Sequence, residues 1–353
     1  MEKETLIHSL LDAVILEGGS DLHLSARTHP TLRVSGALIP LFQHPILSSE
    51  DIQGILDFLV PEERKETMKQ RQSVDFAYSY GDKGRFRCNG YIQQGTYALA
   101  LRLIPKKIRT FTELGLPPIL EVFSQKKQGF FLVVGPVGQG KSTTLASMIE
   151  LINTTRAEHI VTIEDPIEYL FEAKKSLIGQ REVGIDAKGF HEALQDAFRQ
   201  DMDVIMLGEM REYETISSAV TAAETGHMVF STLHTNSAAQ TIDRIIDSFP
   251  ASQQGQVRLQ LASSLVGIFS QRLIPRISGG LVPAYELLIN NNAIANLIRE
   301  GRTHEVNTVI QTSSHEGMMD MDRSLAELVR KGEITVEHAH EHAFDSRVFE
   351  RYL

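Results

Sequence analysis

Cysteine is nearly absent from the 353-residue sequence, in which Cys88 is the only one. A single cysteine excludes a disulfide bond within one chain and a zinc site built from several thiolates. Long apolar runs are also missing, because no stretch approaches the roughly 20 residues that a membrane-spanning helix needs. The first residues, MEKETLIHSL, carry acids and lack the apolar centre of a signal peptide. We therefore expect a cytoplasmic protein without direct membrane insertion.

Positive charge is in deficit, whereas most nucleic-acid-binding proteins carry an excess of it. Lysine and arginine number 35 against 45 aspartates and glutamates, which gives a formal net charge of −10. We therefore expect no nucleic acid as partner, although this balance does not exclude a local basic patch. The hydrophobic and charged fractions, 42% and 23%, are ordinary for a globular protein, and the length suffices for two domains.

The first part of the chain, residues 1–105, has the pattern of a small α+β domain. Helical spacing of apolar residues predicts a helix over 4–17, and a further helical stretch spans roughly 48–71. Short runs of strand type follow or lie between them: DLHLSA, TLRVSGAL, SVDFAYSY, RFRCNGYIQ and YALALRLI. Residues 106–120, first basic and then proline-containing, are predicted to form a linker.

The remainder, residues 121–353, has a different pattern. Four short apolar runs alternate with segments of helical character: GFFLVV, HIVTIE, DVIMLGE and HMVFSTL. This alternation predicts an α/β domain with a mostly parallel sheet covered by helices. Beyond about residue 255 the pattern is mainly helical, and we expect a helical C-terminal region from about residue 280.

A phosphate-binding loop is the most specific signal in the sequence. GPVGQGKS matches G-x-x-x-x-G-K-[ST] between a predicted strand and a predicted helix, where backbone N–H groups and the helix N-terminus favour an anion. A chance match or a glycine-rich turn is the alternative. Lys141 is expected to reach the β- and γ-phosphates, and Ser142 to ligate Mg²⁺. The expected ATP-binding residues are Gly135, Pro136, Val137, Gly138, Gln139, Gly140, Lys141, Ser142 and Thr143.

Acidic residues follow two of the predicted strands. Glu164 and Asp165 close HIVTIE, and the carboxyl ends of parallel strands face the ligand crevice, so these acids could orient and deprotonate water. A surface turn begun by Asp165-Pro166 is the alternative. Glu209 follows Gly208, where many nucleotide-hydrolysing proteins have an aspartate.

Glu209 could accept a hydrogen bond from a metal-bound water, with Gly208 allowing close backbone approach. It could also pair structurally with Arg211. His227 begins HMVFSTL and His234 follows it. One of them could sense the γ-phosphate, and simple packing is the alternative for both.

Together these segments resemble a known family. GPVGQGKSTT, TIEDPIEY, GEMRE and TGHMVFSTLHTNSAA resemble the Walker A, Asp box, Walker B and His box of the secretion ATPases that drive type IV pili and type II secretion. GSDLHLSA and RFRCNGY resemble its small N-terminal domain, and AIANLIREG at 293–301 resembles a signature of its pilus-retraction branch. The resemblance covers nearly the whole chain. It implies a PAS-like α+β domain followed by a RecA-like P-loop ATPase domain.

The resemblance also implies roles for single residues. Glu164 would be the catalytic base, Glu209 would support Mg²⁺ or its waters, and His234 would report on the γ-phosphate. A glycine before the Walker B glutamate is normal in this family. The sequence departs from the family pattern at Glu212, usually aspartate, and at Ala295, usually arginine in the retraction signature. The buried-core alternative for that signature is that its apolar residues simply pack inside the protein.

The subfamily follows from what is missing. Assembly and type II secretion ATPases carry a four-cysteine zinc element and a long N-terminal extension. One cysteine and an immediate start at the small domain favour the retraction branch, PilT-like, with the accessory PilU-like branch as the alternative.

A basic stretch between residues 83 and 109 offers candidate arginines that act across a subunit interface. Asp82 is the only acid nearby in sequence, and Arg85, Arg87 and Arg102 lie on predicted strands. An arginine supplied in trans stabilises the charge on a transferred phosphoryl group. A solvated basic strand edge is the alternative.

The resulting prediction is a homohexameric ATPase that uses ATP and Mg²⁺ to power pilus retraction and twitching motility. Its expected partners are an inner-membrane platform protein and a paralogous retraction ATPase, at the cytoplasmic face of the inner membrane. The alternatives are a non-hydrolysing nucleotide-binding ring partner and a nucleic-acid motor on the same core.

Overall fold

The computed structural model describes residues 2–34, 36–104 and 106–353. The chain divides into two compact units. The first contains the chain up to Lys107 with two later segments, Asp165–Leu170 and Glu182–Asp186; the second contains Ile108–Glu164, Phe171–Arg181 and Ala187–Leu353. Pro105, where the predicted N-terminal domain ends, lies outside the described residues.

The first unit is built on an antiparallel sheet. Its helices are α1 (Glu2–Leu16), α2 (Ser49–Leu59) and α3 (Glu62–Arg71), and its strands are β1 (Asp21–Ser25), β2 (Thr31–Val34), β3 (Ala37–Pro40), β4 (Ser73–Tyr80), β5 (Gly84–Gln93) and β6 (Thr96–Ile104). The strand order among the described residues is β3-β2-β1-β6-β5-β4. Each neighbouring pair is antiparallel. The expected α+β domain is confirmed.

Proline 61 divides the predicted helical stretch over 48–71 into α2 and α3. The ring of Pro61 disfavours helical backbone at the preceding residue, and Val60 is accordingly extended with ψ of 123°. At the other end of α2, Ser48 and Asp51 form a reciprocal capping box.

Alternation of apolar residues in the strands and helical spacing in α1 converge on one core. Leu10 and Val14 of α1 are fully buried, as are Leu22, Phe76 and Phe86 from the sheet. Burying apolar surface contributes about 25 cal/mol per Å² to stability. These buried side chains therefore hold α1 on the sheet.

The second unit is built around a larger sheet. Its strands are β7 (Gly129–Val134), β8 (His159–Glu164), β9 (Leu177–Glu182), β10 (Val204–Leu207), β11 (Met228–Leu233), β12 (Leu265–Pro275) and β13 (Leu281–Ile289). The helices before β12 are α4 (Phe111–Leu114), α5 (Leu120–Ser124), α6 (Lys141–Thr155), α7 (Phe190–Ala197), α8 (Tyr213–Glu224), α9 (Ala238–Asp247) and α10 (Ala251–Ser264). Those after β13 are α11 (Asn292–Glu300), α12 (Val306–Thr312), α13 (Met321–Arg330), α14 (Val336–His342) and α15 (Ser346–Tyr352), with short 3₁₀ turns at Thr303–Glu305 and Ser314–Glu316.

Parallel pairing brings the ends of four strands to one edge. The strand order is β13-β12-β7-β11-β10-β8-β9 among the described residues. β7, β11, β10 and β8 pair in parallel with one another in that order. β7, β10 and β11 are buried along their whole length and β8 is buried from Ile160 onward, as the continuous apolar runs predict. The α/β prediction is therefore confirmed.

Two details of the sequence prediction differ from the structure. The C-terminal helical region begins at Asn292 rather than near residue 280, because β12 and β13 pair antiparallel from Gly267 to Ile289. The predicted linker 106–120 contains α4, capped by Thr110 and Glu113. Phe111 and Leu116 are buried in the core of the second unit, so this part of the segment is packed.

Candidate active site

The segment between β7 and α6 has the shape of a phosphate loop. Gly135, Gly138 and Gly140 have φ values of 145°, 80° and 78°, which residues with a side chain rarely adopt. A Cβ at Gly135 would lie 2.5 Å from the carbonyl oxygen of Gln271, so the backbone there also needs glycine for space. Val137 stands at the tip of the loop with 81% of its surface exposed.

Lys141 is the first residue of α6 and crosses the loop. Its Nζ donates hydrogen bonds to the carbonyl oxygens of Gly135 at 2.8 Å and Pro136 at 2.9 Å. The same Nζ lies 3.4 Å from Nδ1 of His234. The residue is buried, so its charge acts where solvent screens it weakly. The ammonium therefore sits where it can exchange loop carbonyls for phosphate oxygens.

Ser142 and Thr143 occupy the first turn of α6. Ser142 is exposed and Thr143 partly exposed, unlike the buried residues that follow them. No cluster of three histidine, cysteine or carboxylate residues able to hold a metal occurs among the described residues. The donors fit Mg²⁺ held mainly by phosphates and water, with one hydroxyl and a nearby carboxylate, since Mg²⁺ keeps several waters in such sites.

Glu164 ends β8 with a fixed carboxylate. It is buried, with 6% of its surface exposed. The Thr162 hydroxyl donates to its Oε1 at 2.7 Å, and Gln180 Nε2 donates to the same oxygen at 3.4 Å. Burial argues against a simple surface turn for Glu164. The turn interpretation suits Asp165, whose side chain is 38% exposed and pairs with Arg64 at 3.3 Å within the first unit.

Gly208 gives Glu164 its room. A Cβ at position 208 would lie 3.4 Å from Cα and 3.7 Å from Cγ of Glu164. Alanine would make ordinary contact there, but an aspartate would bring a second carboxylate against the first. The glycine in DVIMLGE therefore leaves space for the Glu164 carboxylate of the neighbouring strand.

Glu209 contacts Arg211, one of its predicted partners, and also His234. Arg211 lies 2.8 Å from its Oε1, but the arginine side chain is 74% exposed, and such surface pairs contribute little. On the other oxygen, Nε2 of His234 lies 3.4 Å away. The structural pair with Arg211 is present, and the role of Glu209 toward a metal-bound water stays a prediction.

His234 links Lys141 to Glu209 through its two ring nitrogens. The contacts fit the tautomer in which Nδ1 accepts from the ammonium and Nε2–H donates to the carboxylate. His227, at the opposite end of β11, instead places its Nδ1 3.1 Å from the carbonyl oxygen of Ala222 and packs edge-on against Phe198. The packing interpretation therefore holds for His227, and His234 is the candidate sensor.

The three candidate arginines are paired with carboxylates inside the first unit. Arg85 lies 2.9 Å from Glu182, Arg87 lies 2.9 Å from Glu168, and Arg102 lies 2.8 Å from Asp21. Asp82 is therefore not their only acidic neighbour. Their carboxylate partners lie about 80 to 100 residues away in the sequence, beyond the reach of a local pattern. Burial raises the pKa of Glu182, while Arg85 acts against that rise.

The signature segment forms α11. Ile294, Leu297 and Ile298 are buried, as helical spacing predicts, whereas Asn296 and Arg299 are exposed. The core interpretation is confirmed for the apolar residues, and the polar ones form an outward face.

Sequence reasoning missed two residues beside the loop, Gln271 and Arg272 of β12. Gln271 contacts Gln139 and Thr144, and Arg272 Nη2 donates to Asn236 Oδ1 at 3.0 Å. The signal was present in LVGIFSQRLIP, where three polar residues interrupt an apolar run. A mainly helical pattern is predicted beyond about residue 255, whereas this run forms strand β12.

Comparison with known proteins identifies the family of the chain. The family model described as "Type II/IV secretion system protein" matches residues 2–341. The chain belongs to this family.

Members of the family closely related to this chain include two from Pseudomonas aeruginosa. The type IV pilus retraction ATPase PilT is 44% identical over 337 residues, covering 96% of this chain and 98% of PilT. The type IV pilus ATPase PilU is 39% identical, covering 95% and 87%. The crystal structure of the pilus retraction motor PilT with bound ADP shares 46% identity, covers 98% of this chain and 99% of its own, and gives a TM-score of 0.90.

These relatives confirm the resemblance to the retraction ATPases, and the chain is a P-loop ATPase of this family. The N-terminal domain and ATPase domain expected from the resemblance are confirmed with it. Within the described residues, no helix has the length and apolar character required to cross a bilayer.

Proposed function

We propose that this ATPase is the motor that retracts a type IV pilus and so powers twitching motility. The observation that carries the proposal is similarity along almost the full length of a named retraction ATPase. The hydrolytic residues expected from that similarity are all present: Lys141, Glu164, Glu209 and His234.

In the proposed reaction, water attacks the γ-phosphorus of ATP. The bond to the β,γ-bridging oxygen breaks, and the products are ADP and inorganic phosphate. Glu164 takes the proton of the attacking water, for which the Thr162 hydroxyl holds its carboxylate in one orientation. Lys141 and the loop amides stabilise the negative charge that develops on the phosphoryl oxygens.

Ser142 and Glu209 are the residues that would hold Mg²⁺, the hydroxyl directly and the carboxylate through water. When bound there, the ion would neutralise part of the negative charge of the phosphates. His234 turns its Nδ1 toward Lys141 and its Nε2 toward Glu209, so a γ-phosphate placed beside Lys141 would alter both contacts.

A homohexamer would complete the site with an arginine from the next subunit. Arg85, Arg87 and Arg102 are the candidates, and each would have to leave a carboxylate to reach a neighbouring nucleotide. Replacing the responsible arginine by alanine should lower ATP turnover by about 10³-fold while leaving ADP affinity unchanged. Equal, small effects at all three positions would favour the solvated strand edge.

Rotation of domains on binding and release would be passed to an inner-membrane platform protein at the cytoplasmic face of that membrane.

A PilU-like accessory role is the second candidate, since the PilU relative is only slightly less similar than PilT. Expressing this chain in cells that lack the PilT paralogue or the PilU paralogue separates these roles. A PilT-like motor restores twitching to cells without PilT and does not need the accessory ATPase to do so.

Deletion of the gene in its source cell tests the proposal. Loss of a retraction motor should leave excess surface pili and no twitching, and wild-type protein should restore motility while Lys141→Ala protein does not. A bald deletion strain would instead indicate pilus assembly. Unchanged pili together with DNA-stimulated ATP turnover would indicate a nucleic-acid motor.

A further inference from the structure

Polar residues interrupt β12 at its most buried point. Ser270 and Gln271 are 0% and 2% exposed, and Arg272 is 9% exposed. Burying an amide costs free energy unless it makes hydrogen bonds. The partners of these side chains therefore show what the sequence gains from placing them there.

Gln271 uses both ends of its side-chain amide on the phosphate-loop region. Its Nε2 donates to the carbonyl oxygen of Gln139 at 2.7 Å. Its Oε1 accepts from the hydroxyl of Thr144, in the first turns of α6, at 2.7 Å. Gln139 returns the contact, because its Oε1 accepts from the backbone N–H of Leu273 at 2.6 Å. Two short hydrogen bonds thus join the loop to β12 at Gln139, and a third joins β12 to α6 at Thr144.

The loop also rests directly on the same residue at both of its ends. A Cβ at Gly135 would lie 2.5 Å from the backbone oxygen of Gln271, and one at Gly140 would lie 3.0 Å from its Nε2. The backbone of residue 271 therefore leaves no room for a side chain at Gly135, and the Gln271 amide is in tight contact with the Gly140 position. Both glycines also have positive φ angles.

We propose that Gln271 is a positioning residue for ATP and ADP binding, which holds the phosphate loop in its anion-binding shape before nucleotide enters. A loop that is already ordered loses little conformational entropy on binding, and its amides need no reorganisation. Gln271 touches neither Glu164 nor His234 in any described contact, so its effect should fall on nucleotide affinity and spare the chemical step. The proposal depends on the ATPase activity alone and is independent of the pilus role.

The test compares three variants of the full chain. Gln271→Met keeps the length of the side chain and removes its hydrogen bonds. Thr144→Val removes only the hydroxyl on the other side of the pair. Gln128→Met makes the same substitution at an exposed position as a control, because the Gln128 amide donates to the carbonyl oxygens of Ala223 and Glu224 at the end of α8, away from the loop.

Titration with a fluorescent ADP analogue, steady-state ATP turnover and thermal unfolding are measured on each variant. We expect Gln271→Met to raise Kd for the analogue and KM for ATP about tenfold, with kcat within threefold of wild type. Thr144→Val should raise Kd about threefold, and the double variant should bind no more weakly than Gln271→Met, because the two residues share one hydrogen bond. The control should match wild type.

An unchanged Kd in Gln271→Met would overturn the proposal. So would a fall in kcat and Tm without a change in Kd, which is the result expected of a residue that only supports the fold. If Gln271→Met does not fold, Thr144→Val decides the matter alone, and wild-type affinity in that variant contradicts the proposal.

Discussion

Glu286→Gln should make the stability of the protein less dependent on pH. Glu286 lies on β13 with 3% of its surface exposed, and its Oε1 accepts from the backbone N–H of Ala238 at the start of α9 at 2.7 Å. Burial raises its pKa from 4.5 to about 7, and the Ala238 hydrogen bond only partly offsets this rise. Glutamine keeps the acceptor for Ala238 and cannot ionise.

The magnitude and sign follow from the two pKa values. A rise from 4.5 to about 7 corresponds to about 3 kcal/mol against the charged form in the folded state. Between these two pH values the folded protein therefore retains a proton on Glu286 that the unfolded chain releases. The contribution of Glu286 to the free energy of unfolding falls as the pH rises from 4.5 to about 7 and is constant above that. Glu286→Gln does not lose stability in this way, because glutamine does not ionise.

Urea unfolding of both proteins at about pH 5 and about pH 8 measures the effect. We expect the stability of Glu286→Gln relative to wild type to increase by about 2.5 kcal/mol between the two conditions, since other groups cancel in the difference. Asp320 and Asp322 raise the pKa of Glu286 and Arg272 lowers it, so these three residues are kept as in the wild type in both proteins. A relative stability that is the same at both pH values would refute the reasoning.

Two further predictions concern the site and the core. Gly208→Asp should lower ATP turnover more than tenfold, because a second carboxylate near Glu164 would raise the pKa of the base. Neutral Gly208→Asn should lower ATP turnover less. Equal turnover in the two variants would show that charge plays no part. Ile298→Ala in α11 should reduce the free energy of unfolding by about 3 kcal/mol because the side chain is fully buried, while exposed Asn296→Ala should change it by less than about 0.5 kcal/mol; denaturant unfolding measures both, and similar losses would contradict the assignment of faces.

The sequence predicted those parts of the fold whose signal is local and strong. The phosphate loop, the four buried strands and the acids at their ends follow from short motifs with specific spacing. The order of strands in the sheet then brings Lys141, Glu209 and His234 together, which the register of parallel pairs explains.

The parts that were missed depend on contacts distant in sequence. β12 and β13 are buried runs without clear alternation, and such runs cannot be told from buried helices by periodicity. The carboxylate partners of Arg85 and Arg87 come from residues more than 80 positions away. Gln271 is recognisable only once β12 is seen to lie beside β7.

Glu164→Gln tests the central claim most directly. The substitution keeps the Thr162 hydrogen bond and the size of the side chain, but removes the oxygen basicity needed to take a proton from water. We predict that the variant binds ATP with wild-type affinity and turns it over at least 10²-fold more slowly, the usual contribution of a positioned general base. Turnover at the wild-type rate would contradict the assignment of Glu164 as the base of this motor.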